Sequence, residues 1–391
     1  MADQYKNLTS ADVVIVGAGI AGLWTFNRLK RAGYDAVLVE SNAIGSGQTI
    51  ASQGIIHSGL KYAFTGKINT LARSISTMPD LWRKAMRGEG PVDLSAAQIA
   101  ASSQYLLIPS GFMGGLIKLV AQKALGGEVR EIETLPDEVK STGFKGSVIY
   151  MDEPVLDITS VIRALAAPYK NFIRKINAGD DVRTLIPAKF YIYTAAGSNQ
   201  EIARKNAHTK GLETQKRPLL MVMMKNAPFE IYAHLVGASE KPVATITTHK
   251  MKNGTLIWYI GGGVAECTKD TDPQISYKSV QDALLRYMPK ADLSHAQWST
   301  LPIDRIEGKS AMQGWMPDMP TVHAAGDALY CWPTKLTFAP LLSDMIVGEL
   351  QQRGIKPSNK ESDFSFLPEA DYAQTPWDTA QWTKERLAKQ A

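Results

Sequence analysis

Gly17-Ala18-Gly19-Ile20-Ala21-Gly22, followed 18 residues later by Glu40, is the grouping in this chain best suited to hold a charged small molecule. A glycine at 17 permits a tight turn. One at 19 lets a pyrophosphate approach backbone N–H groups at a helix N-terminus, and one at 22 lets that helix lie close on a strand. Glu40 supplies a carboxylate that can accept hydrogen bonds from a ribose hydroxyl. Beyond it, the Gly47 backbone and the Thr49 and Ser52 hydroxyls can bind phosphate oxygens at little steric cost. These residues imply dinucleotide binding, and the glycine motif alone does not separate FAD from NAD.

Such a constellation needs particular elements around it. Residues 12–16 (DVVIV) form an apolar run of the kind that makes a buried parallel strand. Ile20, Leu23 and Trp24 have helical spacing in a helix expected to run to about residue 32, with Gly33 as its stop. A second buried strand, 36–39, ends at Glu40. Residues 45–65 read as a loop, 66–87 as helical, and Asp157 as the N-cap of a helix. Residues 190–194 read as a further short strand. The middle of the chain changes character: 219–225, 230–236, 243–250 and 255–260 are strand-like, with Asn253-Gly254 signalling a type I′ hairpin. The expected fold is α/β (α+β overall). Residues 1–87, 146–204 and 301–355 form a dinucleotide-binding domain, 88–145 and 205–300 an antiparallel-sheet substrate domain, and 356–391 a polar tail with a short terminal helix.

Composition narrows the function classes. With 391 residues the chain is long enough for two domains. No apolar run is long enough to span a membrane, and residues 1–12 have no apolar stretch, so neither a spanning helix nor a secretory leader is expected. Two cysteines, Cys267 and Cys331, make neither a disulfide framework nor a metal cluster, and a reducing cytoplasm fits. No metal is expected. The net charge of +5 is too small for this length to argue for nucleic-acid binding. It suits an anionic cofactor and substrate, and is compatible with peripheral contact at an acidic membrane surface or a redox partner. The oligomeric state stays open.

Residues 45–62 (GSGQTIASQGIIHSGLKY) resemble the second FAD-binding stretch of the D-amino-acid oxidase superfamily of flavoenzymes. The IIHSGLKY portion is most similar to the glycerol-3-phosphate dehydrogenase and L-2-hydroxyglutarate oxidase branches. Residues 193–198 (YTAAGS) resemble the superfamily's strand-to-loop crossing, and AAGD at 324–327 with TKLTFAP at 334–340 resembles its C-terminal flavin segment. The resemblance touches residues near 17, 50, 195 and 335, most of the chain's length. It implies a Rossmann-like FAD-binding domain, discontinuous in sequence, with the antiparallel sheet covering the FAD. Some members attach flavin covalently through His or Cys, but neither His57 nor Cys331 sits in a decisive linkage motif, so non-covalent FAD is expected. The cofactor-binding residues it implies are Gly17, Gly19, Ile20, Ala21, Gly22, Glu40, Ser41, Gly47, Gln48, Thr49, Ser52, Gln53, Gly54, Ala196, Gly197, Gly326, Asp327, Lys335, Leu336 and Thr337.

Three residues become catalytic candidates through the same resemblance. His57 would face the flavin as an acid/base or hydrogen-bond partner, against a structural role capping a carbonyl. Arg305, in LPIDRIEG, lies where the family often places an arginine for the substrate's anionic group, and a guanidinium fork suits carboxylate or phosphate. An ion pair with Asp304 or Glu307 is the other reading. Lys335 would bring a cation to the flavin, against an ordinary solvated lysine. The Gly-His-Gly of the amino-acid oxidases is absent, with 327–333 (DALYCWP) in its place. The expected activity is therefore oxidation of a small anionic substrate, a 2-hydroxy acid or glycerol-phosphate-like alcohol, by hydride transfer to flavin N5. Rivals are an amine or amino-acid oxidase of the same fold, and a non-catalytic or electron-relay flavoprotein subunit.

Overall fold

The computed structural model describes residues 10–58, 75–111, 129–132, 136–208, 210–239, 241–266, 271–309, 319–333 and 335–383. Two sheets organise them. The first has six strands: β1 (Ala11–Val16), β2 (Ala36–Glu40), β8 (Ile173–Lys175), β9 (Ala188–Tyr193), β15 (Thr321–Ala325) and β16 (Ala328–Trp332), in the order β15-β16-β9-β1-β2-β8. Every pairing is parallel except β15 with β16 at the edge. β1 and β2 are buried at every position, which is why they read as unbroken apolar runs rather than alternating ones. Helix α1 (Ile20–Arg31) lies over β1 and packs against α3 (Ile158–Ala166) and α5 (Ala339–Gln352). The Asp157 carboxylate caps α3 by accepting from the Ser160 N–H at 2.6 Å, as expected. Within the segment expected to be helical, α2 (Met78–Met86) is described; residues 59–74 lie outside the described residues.

The second sheet has eight strands: β4 (Gln104–Pro109), β5 (Val129–Glu131), β6 (Gly146–Met151), β10 (Thr214–Lys225), β11 (Ala233–Leu235), β12 (Ala244–Lys250), β13 (Leu256–Gly261) and β14 (Gln297–Gly308). Their order is β14-β10-β13-β12-β11-β4-β6-β5, antiparallel but for the β4–β11 pair. A further two-stranded ladder joins β3 (Ile99–Ala101) to β7 (Val155–Leu156). Alternation along β10 sorts the two faces of the large sheet. Val222 and Met224 pack with Trp258, Trp298 and helix α4 (Pro273–Tyr287) on one side. Met221 and Met223 pack with Tyr259 and Trp377 on the other.

Three details differ from expectation. The β12–β13 hairpin exists, but only Gly254 has positive φ, +82°. The Gly254 N–H donates to Met251 O at 2.9 Å and the Met251 N–H to Thr255 O at 3.0 Å, a three-residue loop in place of the type I′ turn. β6 and all of β14 belong to the large sheet, so the expected boundaries at 146 and 301 cut through it; the 12-residue pairing of β14 with β10 holds residues 301–308 there. The 356–391 segment, read as a tail, is buried at Phe364, Ala370 and Trp377 as far as residue 383. It bridges to the first domain at Ile44–Tyr372 and stacks Trp377 on His249 at 4.2 Å. No helix among the described residues is long and apolar enough to cross a membrane.

Candidate active site

The carboxyl ends of the parallel strands and one face of the large sheet enclose a cavity of about 1460 Å³, larger than a site for one drug-sized molecule. At its floor, Gly17 takes φ +102°, and a Cβ there would stand 2.9 Å from the Thr194–Ala195 backbone. A Cβ at Gly22 would be 1.9 Å from Gly17 O, so helix and strand approach as closely as their motif predicts. α1 has no acidic residue in its first turn and no side-chain cap, leaving its positive end for an external anion. Thr49 Oγ1 accepts from the Ile20 N–H at 2.9 Å, placing a hydroxyl beside that helix end. Glu40 accepts from the Ala18 N–H and the Asn42 N–H, each at 2.7 Å. A carboxylate has about four acceptor positions, so capacity remains for ribose hydroxyls.

The 45–58 loop is held between the two domains. The Gln53 amide donates to Thr245 O at 2.9 Å and Tyr259 O at 3.0 Å; the Tyr259 hydroxyl donates to Ala51 O at 2.8 Å. Gln48 Oε1 accepts from the Ile306 N–H at 3.3 Å. At the β9 crossing it is Ala196, with φ +46°, that adopts the strained left-handed turn, and a Cβ on Gly197 would press on Ile306. Trp332 Nε1 donates to Ala196 O at 3.1 Å and fixes that turn.

Of the sequence-derived residues, Gly17, Gly19, Ile20, Ala21, Glu40, Ser41, Gly47, Gln48, Thr49, Ser52, Gln53, Gly54, Ala196, Lys335, Leu336 and Thr337 line the cavity, as do His57 and Arg305. Gly22 and Gly197 do not line it and serve close packing instead. Gly326 and Asp327 are a correction. They form the β15–β16 turn, at the opposite end of β16 from Cys331 and Trp332, which do line the cavity. Asp327 is engaged by the Arg183 fork at 2.7 and 2.8 Å, and Gly326 O accepts from Arg353 at 3.1 Å. Cys331 is buried, which pushes its thiol up and favours the protonated form; Cys267 lies outside the described residues.

His57 and Arg305 occupy different corners. The His57 N–H donates to Thr337 Oγ1 at 3.2 Å, and its Nδ1 lies 3.3 Å from Glu153 Oε2. The His57 and His234 rings are 6.2 Å apart. His234, Thr245, Gly261, Met221 and Leu301 then form one row across β11, β12, β13, β10 and β14. Along this grid the Arg305 backbone is four strand spacings and four residues away from His234, roughly 23 Å. Its guanidinium is 3.6 Å from Glu307, which also receives a bidentate pair from Arg217, the residue opposite Arg305 on β10. The ion-pair reading of Arg305 matches this geometry.

Sequence reasoning missed Glu153 and His234. Glu153 is buried in the turn after β6, and its carboxyl is held down to about 2. Burial alone would raise it, but hydrogen bonds from His57 and Ser58 and the fields of His57 and His234 prevail. No spacing joins 57, 153 and 234 along the chain. The only signal was a histidine inside the apolar run IYAHLV.

The cavity suits FAD: glycines that admit no Cβ, an open helix end, a ribose-facing carboxylate and room for a second molecule. The sequence pattern of the DAO family, described as FAD dependent oxidoreductase, matches residues 12–327. A probable FAD-dependent oxidoreductase of Pseudomonas aeruginosa is 36% identical over 95% of this chain and 98% of its own. The crystal structure of a P. aeruginosa FAD-dependent oxidoreductase superposes with TM-score 0.80 at 33% identity, with the same coverage. The fold also matches glycine oxidase from Geobacillus kaustophilus and FAD-bound L-α-glycerophosphate oxidase from Mycoplasma pneumoniae, each with TM-score 0.61, 15% identity, 88% of this chain and 95% of theirs. The chain belongs to the DAO family of FAD-dependent oxidoreductases.

Proposed function

We propose that this oxidoreductase oxidises a small polar molecule at a hydroxyl-bearing carbon, a 2-hydroxy acid or glycerol-phosphate-like alcohol, with His57 receiving the hydroxyl proton. The observation that carries the reading is His57 on the cavity wall, backed by the ionised Glu153. An alcohol must lose its O–H proton as its C–H bond breaks, and a supported imidazole is suited to take it. FAD, when bound, supplies the two-electron acceptor that receives the hydride at N5. Gly17, Gly19, Glu40 and Thr49 would hold its pyrophosphate and ribose, and Gly54, Leu336 and Thr337 would pack about its ring. Thr337 accepts the His57 N–H and so registers the histidine to this segment. Lys335, two residues earlier and also on the cavity wall, supplies the cation an anionic substrate needs at this end. The flavin is held without a covalent bond in this reading, because neither His57 nor Cys331 sits in a decisive linkage motif and Cys331 is a buried thiol.

The test is anaerobic bleaching of the yellow holoenzyme by a panel of small 2-hydroxy acids, polyol phosphates and their amine counterparts. At least one hydroxyl compound should bleach the flavin where its amine analogue does not, and acid precipitation should release all the colour. Bleaching by amines alone would overturn the reading.

A further inference from the structure

We infer that Glu153 is a positioning residue for His57: a buried carboxylate that fixes the imidazole through Nδ1 and leaves Nε2 as the basic nitrogen. The inference rests on the reading of His57 as the group that receives the substrate proton.

Glu153 does not border the cavity; His57 and His234 do. Its side chain is 3% exposed and its acceptor capacity is well used. Oε1 accepts from the Ser58 N–H and the Ser58 hydroxyl, each at 2.7 Å, and Oε2 faces Gln104 Nε2 at 3.4 Å and His57 Nδ1 at 3.3 Å. A carboxylate that stays ionised in the interior is an acceptor only, so the nitrogen facing it carries a proton. That sets the tautomer. Nε2, on the far side of the ring, keeps its lone pair.

Among the described residues, ionisable groups facing His57 include Glu153, from the turn after β6, and His234, from β11. Lys335 lines the same cavity from the segment after β16, and the Arg83–Asp152 pair adjoins Glu153 in the chain. One buried negative charge balances one imidazolium. When the substrate O–H bond breaks, its electron pair stays on oxygen and the proton forms a new N–H bond at His57 Nε2. The resulting cation is then neutralised in place by Glu153. The ligating atoms of His57, Glu153 and His234 lie within 4.8 Å of one another, a spacing a metal ion could also use. The four donors already on Glu153, and the 2.8 Å contact of His234 Nδ1 with Thr245 Oγ1, favour a proton there.

Nitrogen NMR of histidine-labelled wild-type holoenzyme, with His57 assigned through His57→Asn, reads the tautomer without any substrate. The expected result is a proton on Nδ1 and a lone pair on Nε2 at neutral pH; the opposite tautomer overturns the inference. Glu153→Gln should keep its FAD, bleach about 100-fold more slowly with substrate, and move the acid limb of the bleaching rate to lower pH, because the charge that favours the imidazolium is gone. An unchanged rate and pH profile would overturn it, as would one equivalent of metal per chain in the purified wild type. If no hydroxyl compound bleaches the flavin, the proposed function fails while the NMR result still decides the role of Glu153.

Discussion

Arg305 and His57 both reach the cavity, yet their neighbours give them different work. Arg305 shares the buried Glu307 with Arg217 on the adjacent strand. Two guanidiniums on one carboxylate make a cross-strand clasp between β10 and β14, and each keeps a partly exposed face. His57 instead abuts a carboxylate that has no solvent contact to speak of. Arg305→Lys should therefore leave the concentration dependence of substrate bleaching at the wild-type curve, with a stability loss under about 1 kcal/mol because Arg217 still pairs with Glu307. Rapid-mixing measurements check this. A large rise in the substrate concentration needed, at constant FAD content, would return Arg305 to the role of anion clamp.

At the scale of elements, the β1–α1–β2 unit depends on contacts that tolerate no added atom. Gly22→Ala places a methyl group 1.9 Å from a backbone carbonyl, and neither β1 nor α1 can retreat, since both are packed on their far sides. The expected outcome is protein with little or no bound flavin, measured as the ratio of flavin to protein absorbance. Gly254→Ala is the control, at a hairpin turn that does not line the cavity. Nothing lies within 4 Å of its Cβ position, so only the left-handed φ of +82° opposes the change. Its cost should be about 1–2 kcal/mol, with the flavin retained.

For the whole molecule, two buried ionisable groups contribute strongly to how folding responds to acid. His249 lies under Trp377, and burial pushes it down from an ordinary 6.5 to about 3. The unfolded chain binds that proton first, so stability falls as pH drops from 6.5 toward 3, by about 1.4 kcal/mol per pH unit. Glu153 works in a lower window. Its carboxyl falls from an ordinary 4.5 to about 2, so its contribution is complete above 4.5 and is lost as pH falls from there toward 2. Denaturant titrations of wild type and His249→Phe between pH 6.5 and 4.5 separate the two. The variant should lose most of the slope in that interval and keep the steeper loss below it. Equal slopes would show that His249 is not the group that titrates. Because the C-terminal segment docks Trp377 on His249 and lines the cavity at Gln374, Pro376 and Thr379, acid should loosen this wall early.

What the sequence determined by itself is what depends on neighbours along the chain. The glycine turn, helix, second strand and Glu40 lie within one short stretch, and their geometry follows from backbone freedom at Gly17 and continuous burial of β1 and β2. Four strands of the large sheet, β10 to β13, were legible through their strand-like runs and turn residues, while β4, β5, β6 and β14 were not. Tertiary structure decided what depends on register and on partners far apart in the chain. The row from His234 to Leu301 exists only because five strands align, and the same alignment sets Arg305 opposite Arg217 over Glu307. The hairpin at β15–β16 turned Gly326 and Asp327 away from the cavity, though their motif reads like its neighbours. Glu153 carries no local sign of its role, because a carboxylate becomes a buried anion only when Ser58, Gln104 and His57 are brought to it, and that assembly is made by the fold.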